Sequence, residues 1–127
     1  MGCSNFDFKD ISDDKCYALI EDMDYSCGLT IKADGVVQDI TGNTYQMLIK
    51  DRNDGTILLD LGNEADTTVS GFYLDEPSNG HLFLTIINTD VTALGVGSFV
   101  YDIVETDTNS VKSLYMQGTV QVKARFT

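Results

Sequence analysis

The sequence predicts an all-β protein, built as an antiparallel sandwich or barrel. Turn signals recur at short intervals, and the runs between them are rich in Val, Ile, Thr, Tyr and Phe. The turn signals are 34-DG-35, 42-GN-43, 53-NDG-55, 62-GN-63, 78-SNG-80 and 107-DTNS-110. Many short strands separated by such turns are typical of all-β domains.

The last strand has the clearest period of two. One side carries Leu114, Met116, Gly118, Val120, Val122, Ala124 and Phe126. The opposite side carries Tyr115, Gln117, Thr119, Gln121, Lys123 and Arg125. This alternation predicts a long, half-buried antiparallel strand that closes the sheet.

Two further runs alternate in the same way. Their predicted inward residues are Tyr45, Met47 and Ile49 in one run and Leu82, Leu84 and Ile86 in the other. The segment 53-NDG-55 follows the first of these runs and predicts a hairpin turn, because Asn, Asp and Gly tolerate positive φ.

One short helical turn is predicted at residues 88–94, with the sequence NTDVTAL. Asn88 or Thr89 is the expected cap, and Asp90 is favourable in the first turn. A glycine-rich link at 95–97 then leads into the strand that begins at residue 98. A helical turn that precedes a core strand is common in immunoglobulin-like sandwiches.

The bulk composition predicts one domain. The chain has 127 residues, of which 43% are hydrophobic, and it contains one proline. This is enough for one core. Residues 1–15 show neither a helix nor a strand period, so we interpret them as an acidic N-terminal arm and residues 16–127 as the sandwich.

The net charge narrows the possible partners. Twenty acidic residues oppose eight basic ones, which gives a formal charge of -12. Nucleic acid and anionic membranes are therefore not expected as partners, because both bind clusters of Lys and Arg. The charge suits a protein with basic patches. The simpler alternative is a solvated acidic surface.

We expect no enzyme activity, metal or cofactor. His81 is the single histidine and has no nucleophile motif beside it, so a solvated or capping role is favoured over a catalytic one. The three cysteines show no zinc spacing. Carboxylate pairs such as 13–14 and 75–76 leave a hydrolase as the weakest alternative, since they lie in polar turns.

Asp102 is unusual because it lies inside the apolar run FVYDIV. Alternation places it opposite Phe99, Tyr101 and Ile103. One interpretation is a residue on the solvent face or one that protects a sheet edge. The other is a polar anchor at a contact between subunits.

Three segments together resemble the immunoglobulin-like N-terminal domain of phage baseplate upper proteins and related tailed-phage virion modules. Residues 39–42 match the "D-[LI]-T-G" turn of that family, and 118–122 match its "G-x-[VF]-x-V" final strand. Between them, Thr92, Leu94, Gly97, Phe99, Tyr101, Asp102 and Ile103 follow the "T-x-L-x-x-G-x-[YF]-x-Y-D-[IL]" pattern. The match spans residues 28–124 and implies an immunoglobulin-like sandwich of about seven to nine strands.

The same resemblance implies a non-enzymatic virion structural protein. It would assemble in the host cytoplasm as a homo-oligomer or another multi-copy assembly, in the tail, baseplate, neck or head decoration, and it would hold other virion proteins. The match has departures: 21-EDMDYS-26 replaces a charged turn of the family, and the fibre-holding C-terminal region of baseplate upper proteins is not matched. The alternative function is a module that binds a host-surface glycan.

The candidate partner-contact residues are Phe6, Phe8, Ile11, Asp102 and Tyr115. We expect the first three to insert into a groove of the partner, while the aspartates of the arm meet basic residues on its rim. For the glycan alternative, exposed Tyr115 and Tyr73 would stack on sugar.

Overall fold

A computed structural model describes residues 10–11, 19–66 and 68–125 of the chain. The side chains of 10, 11, 33 and 114–116 lie outside that description. The elements are β1 (Asp10–Ile11), β2 (Leu19–Ile20), β3 (Tyr25–Thr30), β4 (Lys32–Ala33), β5 (Val36–Val37), β6 (Thr44–Asp51), β7 (Ile57–Leu61), β8 (Gly71–Glu76), a 3-10 turn (Pro77–Asn79), β9 (His81–Ile86), α1 (Asn88–Leu94), β10 (Gly97–Thr106) and β11 (Lys112–Lys123).

The strands form two main sheets. The larger sheet has the order β1-β11-β10-β6-β7, and β2 also pairs with β11. The smaller sheet has the order β3-β9-β8, and β4 and β5 form a separate hairpin. All these pairings are antiparallel except those of β1 and β2 with β11, which are parallel.

The hairpin predicted at 53-NDG-55 is confirmed between β6 and β7. A carboxylate oxygen of Asp51 accepts the Asn53 amide at 2.7 Å, and the Asp51 carbonyl accepts the Gly55 amide at 3.0 Å. Gly55 has a φ of 73°, which glycine adopts without steric cost. The local sequence therefore fixes the turn that brings β7 beside β6.

Strand alternation places the core as the sequence predicts. Met47 and Ile49 of β6 are fully buried, as are the three inward residues of β9. Val120 and Val122 of β11 are also buried. The described side chains of the three predicted inward sets are thus buried with one exception: Ala124 lies beyond the end of β11 and is exposed, so the predicted last strand is too long.

The two sheets pack face to face around one apolar cluster. Inward residues of both sheets belong to it, and the rings of Tyr45 and Phe72 meet across the sandwich with centroids 5.9 Å apart. Residues from both sheets that are 0% exposed are Leu19, Leu29, Met47, Ile49, Phe72, Leu82, Leu84, Ile86, Ile103 and Val120. Burial of these side chains is the main stabilising term of the fold.

The strand order makes the fold an immunoglobulin-like β-sandwich, as predicted. The smaller sheet follows the B-E-D order of that fold, and β11-β10-β6-β7 follows G-F-C-C′. Among the described residues there are seven strands of five to twelve residues and four strands of two residues. Seven long strands lie within the predicted range of seven to nine.

The predicted helical turn is confirmed as α1, but its predicted cap is wrong. The N-cap residue is Ile87, which has no capping side chain. Instead, the Ser70 hydroxyl accepts the Ile87 amide at 2.9 Å, and Asp24 accepts the Asn88 amide at 2.7 Å. These acceptors come from distant segments, so local sequence does not reveal them. The described residues include no helix with the length and apolarity to span a membrane.

Part of the predicted N-terminal arm lies in the larger sheet. Residues 10 and 11 form β1, which pairs in parallel with Thr119 and Val120 of β11. Leu19 and Ile20 extend that row beside Val122 and Lys123. At these positions β11 is flanked on both sides and does not end the sheet. The domain boundary at residue 15 stays a prediction.

We expect Phe72→Ala to lower the free energy of unfolding by about 3–5 kcal/mol, because it opens a cavity at the contact between the sheets. The matched control is Phe83→Ala, since Phe83 is 38% exposed on the outer face of the smaller sheet. That variant should cost about 1 kcal/mol or less. Urea unfolding measures both, and equal losses would contradict the assignment of the core.

Candidate functional site

The outer face of the larger sheet, called the front face below, is the candidate site. It consists of the side chains on β6, β7, β10 and β11 that point away from the core. These are Gln46, Leu48, Lys50, Ile57, Leu58, Asp60, Val100, Asp102, Val104, Gln117 and Thr119. The strand register brings them together from four separate segments.

Asp102 lies near the middle of the front face. Tyr101 is 3% exposed and Ile103 is 0% exposed, so alternation turns Asp102 outward between them, as predicted. Its strand, β10, pairs with β6 on one side and β11 on the other. The interpretation that Asp102 protects a sheet edge is therefore wrong, because this strand is central.

Lys50 is the ionic partner of Asp102. Lys50 lies directly opposite Val100, so it is the diagonal neighbour of Asp102 across the two strands. Its ammonium nitrogen is 3.7 Å from Oδ2 of Asp102, and the two side chains are 32% and 26% exposed. Charge-assisted hydrogen bonds usually measure about 2.7–2.9 Å. The contact is therefore a loose ion pair.

The second carboxylate oxygen of Asp102 has no partner in the described structure. Oδ1 is buried from solvent and accepts no hydrogen bond. A buried polar atom in this state typically costs about 1–3 kcal/mol, and more when it is charged. Such atoms are uncommon in native proteins. Asp102 is thus a carboxylate whose hydrogen-bonding capacity is only partly used in the described structure.

Aliphatic side chains flank this carboxylate on β6 and β10, whereas Gln117 lies opposite it on β11. Leu48 lies directly opposite it, and Val100 and Val104 lie two positions away on the same strand; all three are half-buried. At the β7 end of the face, Ile57 and Leu58 are 54% and 42% exposed. The front face therefore joins an apolar patch to one incompletely solvated charge.

A shallow cleft of about 590 Å³ adjoins Asp102. Its lining includes the side chains of Lys50, Val100, Gln117 and Thr119. The cleft offers room for one side chain of a partner next to the carboxylate. Asp60, on the same face, differs from Asp102 because it is exposed and accepts a hydrogen bond from Gln46 at 3.0 Å.

His81 lies on the opposite side of the protein, on the outer face of the smaller sheet. Its Nδ1 is 2.7 Å from Oδ1 of Asp75, and its ring meets the Phe83 ring edge-on at 5.0 Å. A Cβ placed on Gly28 would lie 3.2 Å from Nε2 of His81. Nε2 therefore lies close to the backbone of Gly28.

Tyr73 does not offer the surface that the glycan alternative needs. It is 9% exposed, and its hydroxyl hydrogen-bonds the carbonyl oxygens of Asp66 and Val69. Burial, with the nearby charges of Asp66 and Glu64, raises the pKa of the Tyr73 hydroxyl. The expectation of an exposed Tyr73 that stacks on sugar is wrong, because the ring is buried and its hydroxyl is bound to the loop before β8.

Several acidic side chains shape turns. Asp39, in the "D-I-T-G" segment, accepts both the amide and the hydroxyl of Thr41, at 3.0 and 2.6 Å. Asp66 binds Thr68 in the same way, at 2.9 and 2.6 Å. These hydrogen bonds, from the hydroxyl first, lower the pKa of both carboxyls. Much of the acidic composition therefore supports turn geometry.

The other sequence-predicted contact residues are only partly described. Phe6 and Phe8 lie outside the described residues. Ile11 and Tyr115 are placed by their backbones, in β1 and β11, while their side chains lie outside the description. The sequence did not point to Lys50 as the partner of Asp102, because their pairing depends on the register of β6 and β10.

Among the described residues, no group of three or more His, Cys, Asp or Glu side chains is arranged to hold a metal ion.

Comparison with known proteins gives distant structural neighbours. No family model matches the chain, and no curated protein matches it. Among solved structures, it is similar to CopC from Methylosinus trichosporium OB3b, with 12% identity, 87% of each chain covered and a TM-score of 0.46. It is also similar to murine CRIg, with 7% identity, 84% of this chain and 89% of that chain covered and a TM-score of 0.41. Both likenesses concern overall architecture only.

We expect Asp102→Val to raise the free energy of unfolding by about 1 kcal/mol, because it removes a buried, unpartnered oxygen and loses only a loose ion pair. The matched control Asp60→Val removes the same charge from the same face and should change stability by less than about 0.5 kcal/mol. Urea unfolding compares the two. A loss of stability of about 1 kcal/mol or more in Asp102→Val would mean that this carboxylate holds the fold together.

Proposed function

We propose that this chain is a non-enzymatic structural protein of a tailed-phage particle, where several copies dock another virion protein through the front face. The observation that carries the proposal is Asp102, a carboxylate with a buried, unpartnered oxygen beside the aliphatic side chains of the front face. Proteins keep such destabilising groups chiefly where function requires them.

The apolar part of the face suits an interface core. Stable protein interfaces have an apolar centre and a polar rim. Here Leu48, Val100 and Val104 supply a half-buried aliphatic centre, and Ile57 and Leu58 extend it with well-exposed side chains. A partner that covers this patch removes exposed apolar surface from water, which favours association.

The charge of the chain favours a basic partner. The formal charge is -12, so a partner with Lys and Arg around its contact surface is attracted at long range. The same charge disfavours direct association of two front faces in the absence of another protein. We therefore propose a different, basic virion protein as the occupant.

The virion assignment rests on the resemblance of three ordered segments to tailed-phage modules. Residues 39–42 form the turn before β6, residues 97–103 form the start of β10, and residues 118–122 lie in β11. Their order and spacing support a common architecture of this chain and the tailed-phage modules. The proposed location is accordingly the assembled particle, with synthesis in the host cytoplasm.

The front face takes precedence over the N-terminal arm as the proposed contact. Asp10 and Ile11 are paired with β11, so this part of the predicted arm is not separate from the sheet. A docking role for Phe6 and Phe8 stays a prediction.

The test uses particles purified from cells infected by the phage that encodes the chain. Immunogold electron microscopy with an antibody against the chain should label one fixed place on the particle. Unlabelled particles beside abundant free protein would overturn the virion assignment.

A second experiment tests whether the front face is the docking surface. It uses particles assembled in cells that express the wild-type chain and a variant in equal amounts. We expect Leu58→Lys to be under-represented in particles about tenfold, because it puts a cation against a basic partner; this corresponds to about 1.4 kcal/mol. The matched control Phe83→Lys changes a residue of similar exposure on the opposite face and should enter equally. Mass spectrometry of the two peptides gives the ratios, and reversed ratios would contradict the proposed face.

A further inference from the structure

We propose that the partner inserts an arginine side chain, flanked by aliphatic residues, into the cleft beside Asp102. This inference rests on the proposed function, since it names the chemistry by which the front face recognises its partner. The juxtaposition that carries it is a carboxylate with one unpartnered oxygen, an adjoining cleft, and aliphatic side chains on its own strand and on the β6 side.

The carboxylate of Asp102 has unused capacity to accept hydrogen bonds. Two carboxylate oxygens together offer about four acceptor sites. In the described structure the only ionic contact is Lys50 at 3.7 Å from Oδ2, and Oδ1 has no donor. An incoming donor would therefore fill an empty position and would not compete with an existing hydrogen bond on that oxygen.

A guanidinium group suits this position better than an ammonium group. Its planar fork donates two parallel hydrogen bonds to the two oxygens of one carboxylate. A single ammonium, as Lys50 already shows, leaves the second oxygen without a donor. The guanidinium is also more weakly hydrated, so it loses less when it enters a partly apolar cleft.

The lining of the cleft permits this entry. Lys50 and Gln117 have long, unbranched side chains, and they lie on either side of Asp102 in the sheet. Rotation of either side chain toward solvent would widen the approach to the carboxylate as the arginine enters. Lys50 is already 32% exposed, and its ammonium stays in water when the loose pair opens.

The aliphatic neighbours explain why residues on either side of the arginine should be apolar. Leu48, Val100 and Val104 flank Asp102 on β6 and β10, and aliphatic residues of a partner would cover them. Covering them excludes water from the new ion pair and strengthens its electrostatic attraction.

The experiment titrates the isotope-labelled full chain with the peptide acetyl-Val-Arg-Val-amide, followed by amide chemical shifts in NMR spectra. The control peptide replaces arginine with citrulline, which keeps the shape and loses the charge. We expect the arginine peptide to shift amides at residues 48–50, 100–104 and 117–119, and the citrulline peptide to bind at least about fivefold more weakly.

Two isosteric variants assign the effect to one carboxylate. Asp102→Asn should weaken arginine-peptide binding about tenfold or more, while Asp60→Asn on the same face should stay within about twofold of wild type. Thermal unfolding of each variant verifies that the fold is retained.

Equal affinity of wild type and Asp102→Asn, or no shift of these amides at about 10 mM peptide, would overturn the arginine proposal. The titration needs no particles, so its failure is separate from that of the proposed function. If the particles are labelled by immunogold but peptide binding does not depend on Asp102, only the arginine proposal is wrong. Unlabelled particles with Asp102-dependent binding would remove only the virion assignment.

Discussion

The period of two along β10 is the constraint on which the candidate site depends. Tyr101 and Ile103 fill the core between the sheets, and this fixes Asp102 on the outer side of a central strand. Neighbouring strands on both sides then limit its access to water. The core packing that stabilises the sandwich therefore also leaves one oxygen of this carboxylate without a partner in the described structure.

A carboxylate at this position lowers the stability of the fold, and recognition of a partner would explain why it is present. An apolar residue would fit the patch of Leu48, Val100 and Val104 without leaving an acceptor unpaired. A carboxylate instead gives the patch a directional feature that only a suitable donor satisfies. Other acids of the chain, such as Asp39 and Asp66, have hydrogen-bond partners in turns. Asp102 differs from them because one of its carboxylate oxygens has no hydrogen-bond partner in the described structure.

Local patterns predicted much of the fold. Alternation identified Tyr45, Met47 and Ile49 as core residues, and local turn chemistry located the β6–β7 hairpin. Long-range features were not predictable in the same way. Ser70 and Asp24 satisfy the amides at the start of α1 from distant segments, and the local sequence instead favoured a cap within the helix itself.

The candidate site was likewise predictable only in part from local sequence. Its central residue, Asp102, stands out in the sequence as a charge within an apolar run. The contact with Lys50, the unpartnered oxygen and the cleft all depend on how β6, β10 and β11 align. A one-residue change of register would turn these side chains to the other face.

The most direct test of the central claim is hydroxyl-radical footprinting of the chain, free and in purified particles. The account predicts that oxidation of Ile57 and Leu58 falls at least about fivefold on assembly, while that of Phe83 on the opposite face changes less than about twofold. Protection of Phe83 with unchanged oxidation of Ile57 and Leu58 would contradict it, because the front face would then be exposed in the assembled state.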